Sequence, residues 1–140
     1  MRTKFILAGL AGGVLNFFLG WLVYGILLMK YYEANTIHYD GLMKEMPIMW
    51  LLIISCLFTG YFLAFIFDRW AKINTLKGGF TAGVIIGLFL GLMYDLSFLS
   101  MWNLYNWQIV VIDVLVAAVV YGITGALVGV ILSGKEKSAL

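Results

Sequence analysis

This chain has few of the residues on which soluble enzymes and nucleic-acid-binding proteins depend. It contains one cysteine, one proline and one histidine in 140 residues, and only 11% of its residues are charged. A single cysteine excludes a disulfide framework and a CxxC metal site. A formal net charge of +2 is too small for binding to a phosphate backbone. Because GxSxG, HExxH and Walker patterns are also missing, we expect no cofactor and no nucleic-acid partner.

Apolar residues are abundant instead. They make up 64% of the chain, and mean hydropathy is +1.02, whereas a soluble domain has about 45–50% apolar residues. Runs of at least about 18 apolar residues can cross a bilayer as a helix. The sequence has four such runs, at residues 5–29, 47–67, 76–101 and 107–132. It therefore predicts an all-α integral membrane four-helix bundle, with residues 1–140 as a single domain in contact with lipid.

Residues at the ends of these runs indicate where helices begin. Pro47 suits the first position of the second helix, because proline lacks the N–H that is unpaired there anyway. Asn74 and Thr75 can cap the third helix, and Asn106 can cap the fourth. We expect four discrete helices that are joined by loops of unequal length.

The basic residues predict the orientation in the membrane, because Lys and Arg accumulate on the cytoplasmic side. Seven of the nine lie on one side of the four spans: Arg2, Lys4, Arg69, Lys72, Lys77, Lys135 and Lys137. Lys30 and Lys44 lie on the other. Both termini are thus predicted to be cytoplasmic, in a bacterial inner membrane. Tyr32 and Tyr105 are among the aromatic residues that fit an interfacial belt on the outer side.

Small residues recur at four-residue spacing in the third span, where helices can approach closely. The row consists of Gly79, Gly83, Gly87 and Gly91, and its next position is Asp95. We interpret it as a glycine zipper.

The fourth span carries a comparable row of Asp113, Ala117, Tyr121, Gly125 and Gly129. Position for position, the two rows are equidistant from the loop that joins the spans. A tight hairpin would therefore bring equivalent positions to the same depth.

Asp95 and Asp113 are one such pair. They lie about 10–14 Å from the loop centre along each helix, where a charged carboxylate costs at least about 2.5–3.5 kcal/mol. Two facing carboxylates cannot both be ionised cheaply, so the pair can share a proton or bind a cation. In the alternative interpretation, one or both are protonated or hydrogen-bonded and only lock the hairpin.

The first span has its own row of Ala8, Gly12, Asn16, Gly20 and Tyr24. Asn16 is predicted near the middle of the bilayer, either as a hydrogen-bonding contact between helices or, with Tyr94 and Tyr121, as a polar residue that lines a cavity.

A shift of 70 residues aligns several residues of positions 9–24 with the third span. This alignment suggests a two-plus-two parallel internal repeat.

The segment 19–25, LGWLVYG, is followed by Lys30, Tyr31 and Tyr32. It resembles the first-span signature of a family of small bacterial four-span membrane proteins that is catalogued as a domain of unknown function. The glycine-rich third span and the loop 103–106 look like the later part of that family. The resemblance implies a four-span fold and no activity, since the family has none assigned.

Two functional hypotheses follow. In the first, the protein transports a proton, a cation or a small solute, with Asp95 and Asp113 as the site. In the second, it is a structural or accessory subunit whose glycine rows dock a second copy or another membrane protein. A membrane enzyme is less favoured, because the sequence offers no nucleophile, metal cluster or cofactor motif.

Overall fold

The computed structural model describes residues 2–133, and from residue 3 onward also their side chains. This part of the chain forms five α-helices and no strands. The helices are α1 (Arg2–Leu22), α2 (Met29–Asn35), α3 (Met49–Phe65), α4 (Leu76–Met101) and α5 (Trp107–Ser133). Two π-helical segments, Val23–Leu27 and Ile66–Ala71, continue α1 and α3.

Four helical stretches are long and apolar enough to cross a membrane, so the prediction of a four-span membrane protein is confirmed. They are Thr3–Leu27, Met49–Ala71, Leu76–Met101 and Trp107–Ser133. The second span continues past its predicted end because the π-helical segment extends α3 to Ala71. Lys135 and Lys137, which contribute to the predicted orientation, lie outside the described residues.

Side-chain caps begin two of the helices as expected. The Thr75 hydroxyl accepts a hydrogen bond from the backbone N–H of Gly78 at 3.1 Å, and Asn106 Oδ1 accepts one from Ile109 N at 2.9 Å. The expectation for Pro47 is wrong. The residue after it, Ile48, is extended and stands before the first helical residue, Met49, so Pro47 belongs to the loop.

The spans pack in the order α3, α1, α5, α4. α4 runs along α5, α1 runs along α3, and α1 also contacts α5. Each half of the chain thus pairs its own two spans, an arrangement compatible with the suggested repeat, which stays a prediction.

A small core forms where α1, α3 and α5 meet. Its buried side chains are Ala8, Leu63, Ala64, Phe67 and Val128. Most other large apolar side chains of the four spans are exposed, as expected for helices whose outer faces contact lipid.

The glycine row of α4 lies directly against the backbone of α5. A Cβ atom at Gly79, Gly83 or Gly87 would lie less than 3.0 Å from a carbonyl oxygen of α5. Two of the expected pairs are adjacent: a Cβ at Gly129 would come within 3.2 Å of Gly79 Cα, and one at Gly125 within 3.2 Å of Gly83 Cα. The rows also interleave, since a Cβ at Gly79 would meet Gly125 O. The reason is that every Cα–Cβ bond tilts towards the N-terminus of its helix, so each position fits between two positions of its neighbour.

Candidate functional site

Asp113 on α5 is the most extensively hydrogen-bonded carboxylate in the described part of the chain. Its Oδ1 atom accepts hydrogen bonds from two tyrosine hydroxyls, that of Tyr24 at 2.8 Å and that of Tyr32. The two tyrosine rings contact each other edge to face, with centroids 5.6 Å apart. Asp113 is half-buried. Three elements therefore converge on this carboxylate: α5, the π-helical end of α1, and α2.

A change of helix type brings Tyr32 to this position. The π-helical segment Val23–Leu27 follows α1, and the chain then restarts as α2. Beyond α2, the backbone N–H of Ile37 donates to the carbonyl of Leu104 at 3.1 Å. Asn106 also donates to Asn35 Oδ1 at 3.4 Å. These contacts hold α2 against the loop between α4 and α5, with Tyr32 over Asp113.

Tyr32 lies outside the membrane-spanning segments and keeps its proton. Burial raises the pKa of its hydroxyl above the ordinary value, and the hydrogen bond to Asp113 and the negative charge of Asp113 raise it further. Tyr32 is therefore a hydrogen-bond donor throughout the neutral and moderately alkaline range.

Asp95 on α4 differs from Asp113. Its Oδ2 atom is buried and has no hydrogen-bond partner among the described residues. The carboxyl group lies close enough to that of Asp113 for a hydrogen bond between the two once one of them carries a proton. A buried carboxylate oxygen without a donor is unfavourable, and a proton shared by the two carboxyl groups would satisfy it.

Both carboxylates line one cavity of about 170 Å³. The rest of its wall consists of three tyrosines and three apolar residues: Tyr32, Tyr94, Tyr105, Phe98, Ile109 and Val110. Asp95 comes six residues before the end of α4 and Asp113 six residues after the start of α5. At 1.5 Å per residue, both lie about 9 Å from the helix ends. The cavity is therefore near the end of the bundle that carries the α4–α5 loop.

The other polar residues of interest are more dispersed. Tyr94 lines the cavity with Asp95. Asn16 and Tyr121 do not line it. Tyr121 is half-buried and packs against the core. Asn16 is half-buried on α1, one turn beyond Gly12, whose position faces Thr124 and Val128 of α5.

The six glycines that were expected to support helix packing are all buried at the α4–α5 interface: Gly79, Gly83, Gly87, Gly91, Gly125 and Gly129. Close approach of these two helices sets the relative position of the segments that carry Asp95 and Asp113.

Tyr24 and Tyr32 are the site residues that sequence reasoning missed. The sequence does carry a signal for Tyr24, because this residue ends the row at four-residue spacing that also contains Gly20. The sequence predicts Tyr32 and Tyr105 in the interfacial aromatic belt, yet both line the cavity. Their proximity to Asp113 depends on the fold of α2 and of the α4–α5 loop.

Comparison with known proteins adds no relative: no family model, no curated protein and no solved structure matches this chain. The resemblance to a four-span family of unknown function stays a prediction.

The arrangement of Asp95 and Asp113 determines which charged species the cavity can take up. Asp113 is fixed by two neutral donors, while one oxygen of Asp95 has no partner in the part of the chain that the structure describes. In surroundings of low dielectric constant, two nearby carboxylates favour any state that lowers their combined negative charge. Such a state is reached by taking up a proton or a cation into the cavity.

Proposed function

We propose that this multi-pass membrane protein transports a proton or another small cation, with Asp95 and Asp113 as the binding site. The observation that carries the proposal is that the two carboxylates line a single cavity while Asp95 Oδ2 has no donor within the described residues. Ionisable residues inside membrane spans are rare and typically mark ion or substrate pathways.

In the proposed mechanism the two carboxylates have different roles. Tyr24 and Tyr32 orient Asp113 as a fixed acceptor. Asp95 receives the arriving proton or cation where its carboxyl group borders the cavity and releases it when the cavity is again open to water. Occupancy is favourable because it neutralises part of the charge on the pair.

Further polar groups lie on α1 and α5 away from the cavity. Asn16 and Tyr121 are half-buried, and Thr124, which is close to Gly12 of α1, is fully buried with an Oγ1 atom that has no partner among the described residues. Buried polar groups are normally hydrogen-bonded. We propose that this line of polar groups is the continuation of the pathway towards the other end of the bundle.

The proposed setting is a bacterial inner membrane with both termini in the cytoplasm. The excess of Lys and Arg on the side of the termini supports this orientation. The cavity would then open towards the outer face, and substrate would enter from outside the cell.

Flux measurements in proteoliposomes test the site. We expect the double variant Asp95→Asn, Asp113→Asn to lose proton or cation flux by at least about tenfold, equivalent to about 1.4 kcal/mol of lost stabilisation. Asparagine keeps the size of aspartate but removes the charge. Initial rates would be followed with a trapped pH-sensitive dye and with radiolabelled cations.

The matched control is Asp40→Asn, which removes the same charge from an exposed loop position that does not line the cavity. Its flux should equal that of the wild type. Wild-type flux in a folded double variant, as judged by gel filtration and thermal unfolding, would refute the site.

The alternative function is that of an accessory subunit, in a complex with a second copy or another membrane protein. It is favoured by one observation: a Cβ at Gly20 of α1 would meet nothing within 4 Å, so this glycine leaves room for a neighbouring helix. The space beside the glycines of the α4–α5 interface is already occupied by the facing helix. Stable co-purification that Gly20→Leu abolishes, without carboxylate-dependent flux, would support this alternative.

A further inference from the structure

The cavity lining contains both acidic and apolar side chains. Asp95 and Asp113 are the acidic ones, and Phe98, Ile109 and Val110 are apolar. Asp113 Oδ1 already accepts two hydrogen bonds, whereas Asp95 Oδ2 accepts none from the described residues. A ligand that satisfies this site carries positive charge, donates at least one hydrogen bond and ends in hydrocarbon.

Volume limits the size of such a ligand. The cavity measures about 170 Å³. A cavity of about 150 Å³ accommodates benzene, which has six non-hydrogen atoms. The site therefore fits about six non-hydrogen atoms, and it is larger than a bound proton requires.

The lining also distinguishes an organic cation from a metal ion. Hard divalent cations such as Ca²⁺ take about six to eight oxygen ligands. Among residues 2–133, no group of three or more His, Cys, Asp or Glu side chains could hold a metal ion. An alkylammonium ion needs fewer acceptors and gains from contact with aromatic and aliphatic carbon.

Resting on the proposed function, we infer that the substrate class is a protonated primary amine with a short hydrocarbon group. The ammonium group lies in the cavity and donates to the oxygens of Asp95 and Asp113 that border it. The hydrocarbon group lies against Phe98, Ile109 and Val110. A quaternary ammonium ion has no N–H to donate to these carboxylates.

The test uses the full chain in lipid nanodiscs and n-butylammonium as the probe, with binding measured by calorimetry and by thermal shift. The control ligand is n-butanol, which has a similar size and shape but no charge. We expect n-butylammonium to bind and to raise the unfolding temperature, and n-butanol at the same concentration to have no effect. Asp95→Asn should weaken n-butylammonium binding by at least about tenfold, and Asp40→Asn should leave it unchanged.

A second variant keeps both carboxylates and changes only the volume of the cavity. Phe98→Trp should narrow the cavity, so it should weaken n-butylammonium binding while methylammonium still binds. This comparison keeps the inference testable even if Asp95→Asn does not fold.

The outcomes separate the ligand class from transport. Equal effects of n-butylammonium and n-butanol, or binding that Asp95→Asn leaves unchanged, would overturn the inference. Failure of n-butylammonium to bind, together with carboxylate-dependent flux of protons or metal ions, would overturn the ligand class alone. Asp95-dependent binding without any flux would support the ligand class and remove the transport function.

Discussion

At the scale of single residues, the two carboxylates of the site, Asp113 and Asp95, differ in their hydrogen bonding. Asp113 accepts two hydrogen bonds from tyrosines, whereas Asp95 keeps a buried oxygen without a partner among the described residues. A hydrogen bond to a charged group contributes about 1.5–3 kcal/mol, and an unsatisfied buried group costs a similar amount. One carboxylate is therefore stabilised by tyrosine donors of the fold, whereas the other has no such donor for its buried oxygen among the described residues.

The first prediction at this scale concerns Tyr32→Phe, which removes one of the two donors to Asp113 and keeps the ring. We expect the free energy of unfolding to fall by about 1–2 kcal/mol, below the upper limit for a charged hydrogen bond because Tyr32 is only half-buried. Unfolding in detergent micelles measures it. Tyr39→Phe is the control, because Tyr39 is 55% exposed in the loop after α2. Equal stability of the two variants would contradict the role of Tyr32.

The stability difference between wild type and Tyr32→Phe is also expected to depend on pH. Burial, and then Asp113, raise the pKa of Tyr32 in the folded state, whereas an unfolded tyrosine ionises near pH 10. Above about pH 10 the folded state therefore binds more protons than the unfolded state, and rising pH lowers the free energy of unfolding. The stability difference between wild type and Tyr32→Phe should be constant from pH 7 to 9 and should narrow above pH 10.

How much of this site the sequence predicts depends on how regular the helices are. Asp95 and Asp113 were found because four-residue spacing and distance from the loop are preserved in α4 and α5. Tyr32 could not be placed in the same way. A π-helical turn forms its hydrogen bonds from residue i to i+5. The segment Val23–Leu27 therefore shifts the directions of the side chains that follow it away from the spacing of a regular α-helix.

At the scale of helices, the closest packing in the described part of the chain is that between α4 and α5. Glycines at four-residue spacing let the two backbones approach so closely that a Cβ would collide with carbonyl oxygens. The sequence predicts this close approach, because small residues are what permit it. It does not predict how the rows interleave, because the direction of the Cα–Cβ bonds decides that offset.

We expect Gly83→Ala to destabilise the hairpin by about 1–3 kcal/mol, the usual cost of overpacking. The new Cβ would lie less than 3.0 Å from the carbonyl oxygen of Tyr121, which is backbone and cannot move aside cheaply. Thermal unfolding in nanodiscs measures the loss.

Gly20→Ala is the matched control, because it makes the same change on α1 where nothing lies within 4 Å. There alanine should be neutral or stabilising by up to about 1 kcal/mol, since glycine is the poorer helix former. Destabilisation by Gly20→Ala equal to that by Gly83→Ala would show that the contacts of Gly83 are not the cause. It would also favour a partner helix at Gly20.

At the scale of the whole molecule, the order α3, α1, α5, α4 places α1 and α5 at the centre. Hydrophobic runs alone predict the number of spans but not their neighbours, because lipid and protein interior are similarly apolar. The order decides which polar groups meet: Tyr24, in the π-helical segment that continues α1, reaches Asp113 because α1 and α5 are adjacent.

The orientation of the bundle determines which compartment the cavity serves, and it can be measured with single cysteines in a Cys56→Ala background. Lys44→Cys lies in the exposed loop between α2 and α3, and Asn74→Cys lies in the exposed connection between α3 and α4. Because Arg69, Lys72 and Lys77 surround position 74, we expect a membrane-impermeant maleimide to label position 44 in intact cells. Position 74 should react only after permeabilisation.

Neutralising the charges near position 74 tests the cause of this orientation. The double variant Lys72→Gln, Lys77→Gln lowers the number of basic residues on the side of position 74 from seven to five, against Lys30 and Lys44 on the other side. Because the Lys and Arg bias sets topology, the weaker bias should let a small fraction of the molecules insert the other way, and position 74 of that fraction should become accessible from outside. Gln replacement of Lys30 and Lys44 is the control and should strengthen the original pattern. Outside labelling of position 74 in the background that keeps all its basic residues would reverse the proposed orientation, and the cavity would then open to the cytoplasm.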